Sequence, residues 1–249
     1  MVEQIIVGVD GSSASRAALR WALTRAGNNG ATVLLEHVID ASRPGDGESV
    51  LADAVELSKS FGTLPVEARL LHGIPARTLA RESRRGHALV MGTHKTGFLH
   101  GRVSGMGSIV VAAGARGSVV VVPEENLSGR RGVIVGVARG SDAAVVAGAL
   151  EAKRLGQDLS LLHACGEAAD AAESGRMMLA AASRLASETA SGLTIRSRVS
   201  RRRPADALLD ASHVASLLVV GAGPVGGFIG SVAHEVLLNL NSPVMVARP

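Results

Sequence analysis

Residues Arg69–Thr93 lie over Arg198–Ala222 without a gap, placing Pro75 on Pro204 and Gly92 on Gly221, each pair 129 positions apart. The openings repeat too. Ile5-Ile6-Val7-Gly8-Val9 corresponds to Val133-Ile134-Val135-Gly136-Val137 at an offset of 128, and in the next apolar runs His37 falls on His163. The closing runs are Val119–Val122 and Val244–Val246. Such a chain must use a fold that one half completes and the other repeats. With 249 residues in total, this is a domain duplication and not an array of short repeats.

Within each half, short apolar runs alternate with helical patterns, which predicts right-handed βαβ units and a parallel sheet. The first half reads as strands at 4–9, 32–39, 65–71, 88–93 and 118–122, with helices near 13–27, 49–61, 75–85 and 106–115. The fold class is therefore α/β, two tandem doubly wound parallel-sheet domains of about five strands each. Hydrophobic residues are 47% of the chain and aromatics only 2%, a diet of Val, Leu, Ile and Ala that suits buried parallel strands under alanine-rich helices. In the first helix Ala17, Ala18, Trp21, Ala22 and Arg25 recur at helical spacing, with Ser12 or Ser13 as N-cap and Trp21 expected to pack on the sheet. The polar stretch Pro123–Arg131 reads as a connection, giving domains at 1–123 and 132–249 with a linker at 124–131.

Several function classes are disfavoured. The single cysteine, Cys165, supports neither a disulfide framework nor a cysteine zinc cage, and a reducing cytoplasm is expected. Met1–Val9 enters a strand pattern without the basic segment of a signal peptide. Val214–Ala233 carries no charge, but its glycines and Pro224 make poor helix material, so a turn-rich loop after a buried strand is expected there and no membrane partner. The net charge is +4, and the clusters Arg81/Arg84/Arg85 and Arg201/Arg202/Arg203 lack interleaved aromatics. They read as solvated faces, with no nucleic-acid partner. His94 and His100 have no acidic or cysteine companions at metal-site spacing and read as solvated loop histidines. His37 and His163 are expected to make local hydrogen bonds. No catalytic residues and no metal ligands are assigned.

In open parallel sheets, ligands bind beyond the carboxyl ends of the strands, at the point where strand order reverses. That directs attention to the loops after the first and fourth strands. After the first comes Asp10-Gly11-Ser12-Ser13, where Asp10 can accept hydrogen bonds from a ribose or an adenine amino group, or can merely cap the helix. After the fourth comes the glycine-rich run from Gly92 to Ser108, with Lys95 and Arg102 adding positive charge before a helix start that suits phosphate. No Walker pattern is present.

Ile6-Val7-Gly8-Val9-Asp10-Gly11-Ser12 with the helix Ala17–Ala22, and Leu89-Val90-Met91-Gly92-Thr93 with its glycine loop and final valine strand, resemble the universal stress protein family across nearly the whole chain, twice. The resemblance implies adenine-nucleotide alpha hydrolase-like domains forming an intrachain pseudo-dimer, with a homodimer and an unidentified protein partner in prospect. It implies ATP or another adenine nucleotide as ligand, with Mg only if ATP is bound. ATP-binding members use the aspartate after strand one and a loop motif G-x2-G-x9-G-[ST]. In the first half Asp10, Gly11, Gly92 and Gly105 match, Lys95 replaces the second glycine, Met106 replaces the Ser/Thr, and Ser108 offers a hydroxyl two residues later. In the second half Ala138 replaces the aspartate and Pro224 the second glycine, and the spacer Val225–Ile229 has five residues where the motif has nine. The implied set is thus Asp10, Gly11, Gly92, Lys95, Gly105 and Ser108. Three functions stay open: a stress-response module with a regulatory nucleotide in the first domain, a nucleotide-free scaffold that keeps only the fold, and an enzyme of at most slow ATP hydrolysis.

Overall fold

The computed structural model describes residues 3–28, 30–42, 45–94, 106–125, 127–166, 171–223 and 228–249. The chain divides into two compact units, 1–125 and 126–248. Pro123 is the last residue of a strand, and Glu124 and Glu125 fall within the first unit.

In the first unit the strands are β1 (Gln4–Gly8), β2 (Thr32–Ile39), β3 (Val66–His72), β4 (Ala88–Thr93) and β5 (Ser118–Pro123). Between them run α1 (Ser13–Gly27), α2 (Gly47–Lys59), α3 (Pro75–Glu82) and α4 (Met106–Gly114). The strands pair in parallel in the order β3-β2-β1-β4-β5. The second unit has strands β6 (Val133–Gly136), β7 (Leu159–Ala164), β8 (Ile195–Ser200), β9 (Leu217–Gly221) and β10 (Val244–Ala247), with helices α5 (Asp142–Leu155), α6 (Ala171–Thr189), α7 (Pro204–Ser212) and α8 (Ser231–Leu238). Its order, β10-β9-β6-β7-β8, is also parallel and repeats the first reversal point, between β6 and β9. The uncharged segment 214–233 contains β9 and the start of α8, and no helix among the described residues is long and apolar enough to cross a membrane.

Strand alternation sends neighbouring side chains to opposite faces, and β2 shows both. His37 points to α2, its ring lying where a Cβ on Gly47 would go, while its Nδ1–H donates to the Val9 carbonyl at 2.7 Å. Glu36, on the other face, meets Arg69 of β3 at 3.6 Å, and Arg69 also reaches Glu82 of α3. The second unit keeps the first arrangement: His163 donates to the Val137 carbonyl at 2.9 Å and its ring occupies the space a Cβ on Gly175 would need. It abandons the second. Glu36 is in register with Arg69, whereas Leu162 is in register with Arg198.

Helix α1 starts at the N-cap Ser12, whose hydroxyl accepts the Ser15 N–H at 3.1 Å. Its buried face is Ala14, Ala18, Leu19, Ala22, Leu23 and Ala26. Trp21 is less enclosed than these residues. The helix comes close to the sheet at Gly92. A Cβ at Gly92 of β4 would overlap the Ala14 carbonyl, and only a face of small residues can come that near a strand.

Candidate functional site

The reversal in strand order lies between β1 and β4, and the residues leaving those strands meet at their carboxyl ends. Asp10 leaves β1 exposed, its Oδ1 accepting the Ser12 N–H at 3.0 Å and its own N–H donating to the Ser15 hydroxyl at 3.3 Å. Ser12 caps the helix, so Asp10 is not spent on that task. Burial raises its pKa, but hydrogen bonds from Ser12 and Ser15 and the charge of His94 outweigh burial, and the carboxyl lies below its ordinary value. Gly11 follows at φ +76°, a left-handed turn that turns the chain into the helix.

His94, the first residue after β4, donates its Nδ1–H to the carboxylate of Glu124, the first after β5, at 2.9 Å. His94 is exposed, as a solvated histidine is, and has this surface partner. Glu124 is also held below its usual range, chiefly by the Ser13 hydroxyl and then by His94. Arg16, on the first turn of α1, donates to the Gly11 carbonyl and adds positive charge beside Glu124. The mouth therefore carries two carboxylates, one guanidinium and one imidazole on three adjacent strand ends. Glu124 escaped the sequence reading because its polar neighbours look like a linker. Its position directly after the last apolar run was the available signal.

The other implied ligands are dispersed. Gly92 belongs to β4, and the overlap with Ala14 already explains why it is glycine. Ser108 lies in the first turn of α4 and is 2% exposed, so it faces the protein and not open solvent. Lys95 and Gly105, with Arg102 and His100, lie outside the described residues, as does the Met106 side chain. Asp10 and Gly11 stand where the reading placed them.

The matching position in the second unit is a cavity of about 180 Å³ lined by Ala138, His163, Leu208, Gly221 and Val232. It has no carboxylate, and its volume falls below the roughly 300 Å³ at which small-molecule pockets begin. Gly221 shows the contrast: a Cβ there would meet nothing within 4 Å, whereas Gly92 is packed against backbone.

The comparisons with known proteins follow this geometry. Residues 1–123 match the model of the universal stress protein family. A universal stress protein of Mycolicibacterium smegmatis is 33% identical over 98% of this chain and 97% of its own. One from Mycobacterium tuberculosis H37Rv is 29% identical over 98% and 96%. The crystal structure of a universal stress protein from Archaeoglobus fulgidus superposes with a TM-score of 0.75 over 98% of this chain and 96% of that one; at 18% identity it shows the fold alone. Fold, repeat and sequence agree, and the chain belongs to the universal stress protein family.

Proposed function

We propose that the first unit is a stress-response module that takes an adenine nucleotide as a regulatory ligand at the ends of β1 and β4. The observation that carries this reading is Asp10: exposed, fixed by the Ser12 amide, held in its ionised form and not used as a helix cap. A fixed carboxylate at a reversal point can accept hydrogen bonds from ribose hydroxyls or an adenine amino group with little ordering cost. In this proposal Gly11 lets the nucleoside approach the backbone, Lys95, Gly105 and the start of α4 address the phosphates, and Gly92 and Ser108 shape the floor. Mg²⁺ would enter only with ATP. Occupancy orders the loop between β4 and α4, giving a cytoplasmic partner protein a state to read.

One observation favours the nucleotide-free scaffold: Glu124 places a second carboxylate on the same mouth, where phosphates would meet like charge. Calorimetric titration with ATP separates the two readings. The regulatory reading expects one site per chain, lost in Asp10→Ala and tightened in Glu124→Gln. No heat and no thermal shift at millimolar ATP overturns it and leaves the scaffold.

A further inference from the structure

Each unit has a cleft between its first helix and the next, and the two clefts differ in size. Between α1 and α2 the cavity is about 60 Å³, while between α5 and α6 it is about 440 Å³. Two sequence differences account for this. Ser15 and Ser141 are equivalent, because each hydroxyl accepts the N–H of the second residue beyond its strand, Asp10 at 3.3 Å and Ala138 at 3.2 Å. The separation is five residues in the first unit and three in the second, so the second loop is tighter and draws back from the cleft. The residue that follows each serine is Arg16 in one and Asp142 in the other. Arg16 folds onto the Gly11 carbonyl and lines the narrow cleft. Asp142 is shorter and leaves that space open.

The far wall of the larger cleft is a stripe on α6, with Met178, Ala182 and Leu185 forming an apolar back and Ala181 a low rim. At the mouth stand Arg139 and Asp142, both exposed and neither with an ion pair among the described residues. The cavity falls in the range of roughly 300–1,000 Å³ used for small molecules. Its chemistry is an apolar back with one positive and one negative side chain in front.

We infer that the cleft between α5 and α6 binds a small zwitterion with an apolar body, the class of a free α-amino acid with a large hydrophobic side chain. Arg139 takes the carboxylate, Asp142 takes the ammonium, and the side chain lies along Met178 and Leu185. A simple carboxylate would meet Asp142 unmatched, and a simple amine would meet Arg139 unmatched; a ligand carrying both charges leaves neither group without a partner. The cleft shares the loop Val137–Ser141 with the smaller cavity at the ends of β6 and β9, but its wall on α6 lines only the larger one, and Ala138 leaves no aspartate at that loop.

The test is a titration of the full chain, without nucleotide, with L-phenylalanine, 3-phenylpropionate and phenethylamine, followed by amide NMR at residues 137–142 and 174–185. Phenylalanine should give saturable shifts there, and each single-charge analogue should bind about tenfold more weakly. Arg139→Gln should weaken phenylalanine about tenfold and erase its advantage over phenethylamine, while the remaining amide spectrum is unchanged. Ala181→Trp, at the exposed rim, should block all three ligands. Phenylpropionate binding as tightly as phenylalanine, or no saturable shift up to the solubility of phenylalanine, overturns the inference. Neither outcome bears on ATP at Asp10.

Discussion

The two units place the same serine under the same backbone amide and then do opposite things with the adjoining residue. In the first, Asp10 leads the loop and Arg16 closes the neighbouring cleft. In the second, Ala138 removes the carboxylate, the loop tightens and Asp142 leaves the cleft open. The scaffold of strands, the histidine on the second strand and the helix order are common to both. Duplication has thus held the frame while redistributing charge at its mouth, and fold alone says little about which unit binds what.

The sharpest way to break this comparison is a pair of glycine substitutions. Gly92→Ala forces a methyl into the Ala14 carbonyl, and should cost about 3 kcal/mol, as backbone overpacking does. Gly221→Ala meets nothing within 4 Å and should fall within about 0.5 kcal/mol of the parent. Denaturant unfolding measures both, and equal costs would mean that the close approach of α1 to β4 is not specific to the first unit.

A smaller difference follows from Glu36, whose counterpart is Leu162. Burial, and then the charge of Glu82, raise the Glu36 carboxyl from 4.5 to about 7, with Arg69 and Arg84 pulling the other way. Neither carboxyl oxygen has a hydrogen-bond partner among the described residues. Between pH 4.5 and about 7 the folded chain retains a proton that the unfolded chain has released, so this group lowers stability as pH rises through the window and adds no further slope above it. Glu36→Leu should remove that fall and, above pH 7, stabilise the chain by about 2 kcal/mol. Thermal unfolding as a function of pH decides the matter; an unchanged slope would mean that Arg69 fully compensates the buried charge.

The smallest expected effect concerns the helix starts. Ser12→Ala removes an N-cap bond to Ser15 and should cost about 1 kcal/mol. Ser141 makes no side-chain cap bond to its helix and accepts the Ala138 amide, so Ser141→Ala should cost about half as much. Reversal of that order would show that the bond from Ser141 to the Ala138 amide matters more to its unit than the N-cap bond of Ser12 does to α1.

Periodicity was enough to place α1 at 13–27 and β4 at 88–93, because an apolar run between turn residues has few alternatives in a repeated βαβ chain. It also found Ala18, Ala22 and Arg25 of the buried face of α1, but not Ala14, whose place is set by the contact of its carbonyl with Gly92 of β4. Asp10 and Gly11 were legible as site residues because they directly follow a strand. Glu124 was hidden among polar neighbours, and its meeting with His94 depends on β4 and β5 being paired, which no local pattern encodes. The cleft beside α6 was hidden for a similar reason. It arises from a loop-length difference that matters only once Ser15 and Ser141 are seen to hold the same amide.

The histidine on the second strand has a practical consequence. In both units it anchors the last carbonyl before the variable loop, and in both the serine anchors the first amide after that carbonyl. Residues 10–15 and 138–141 are therefore interchangeable cartridges mounted between identical fittings. Transplanting Asp10–Ser15 into the second unit would carry the carboxylate together with the serines that hold it, while its neighbours from the other strand ends, His94 and Glu124, stay behind.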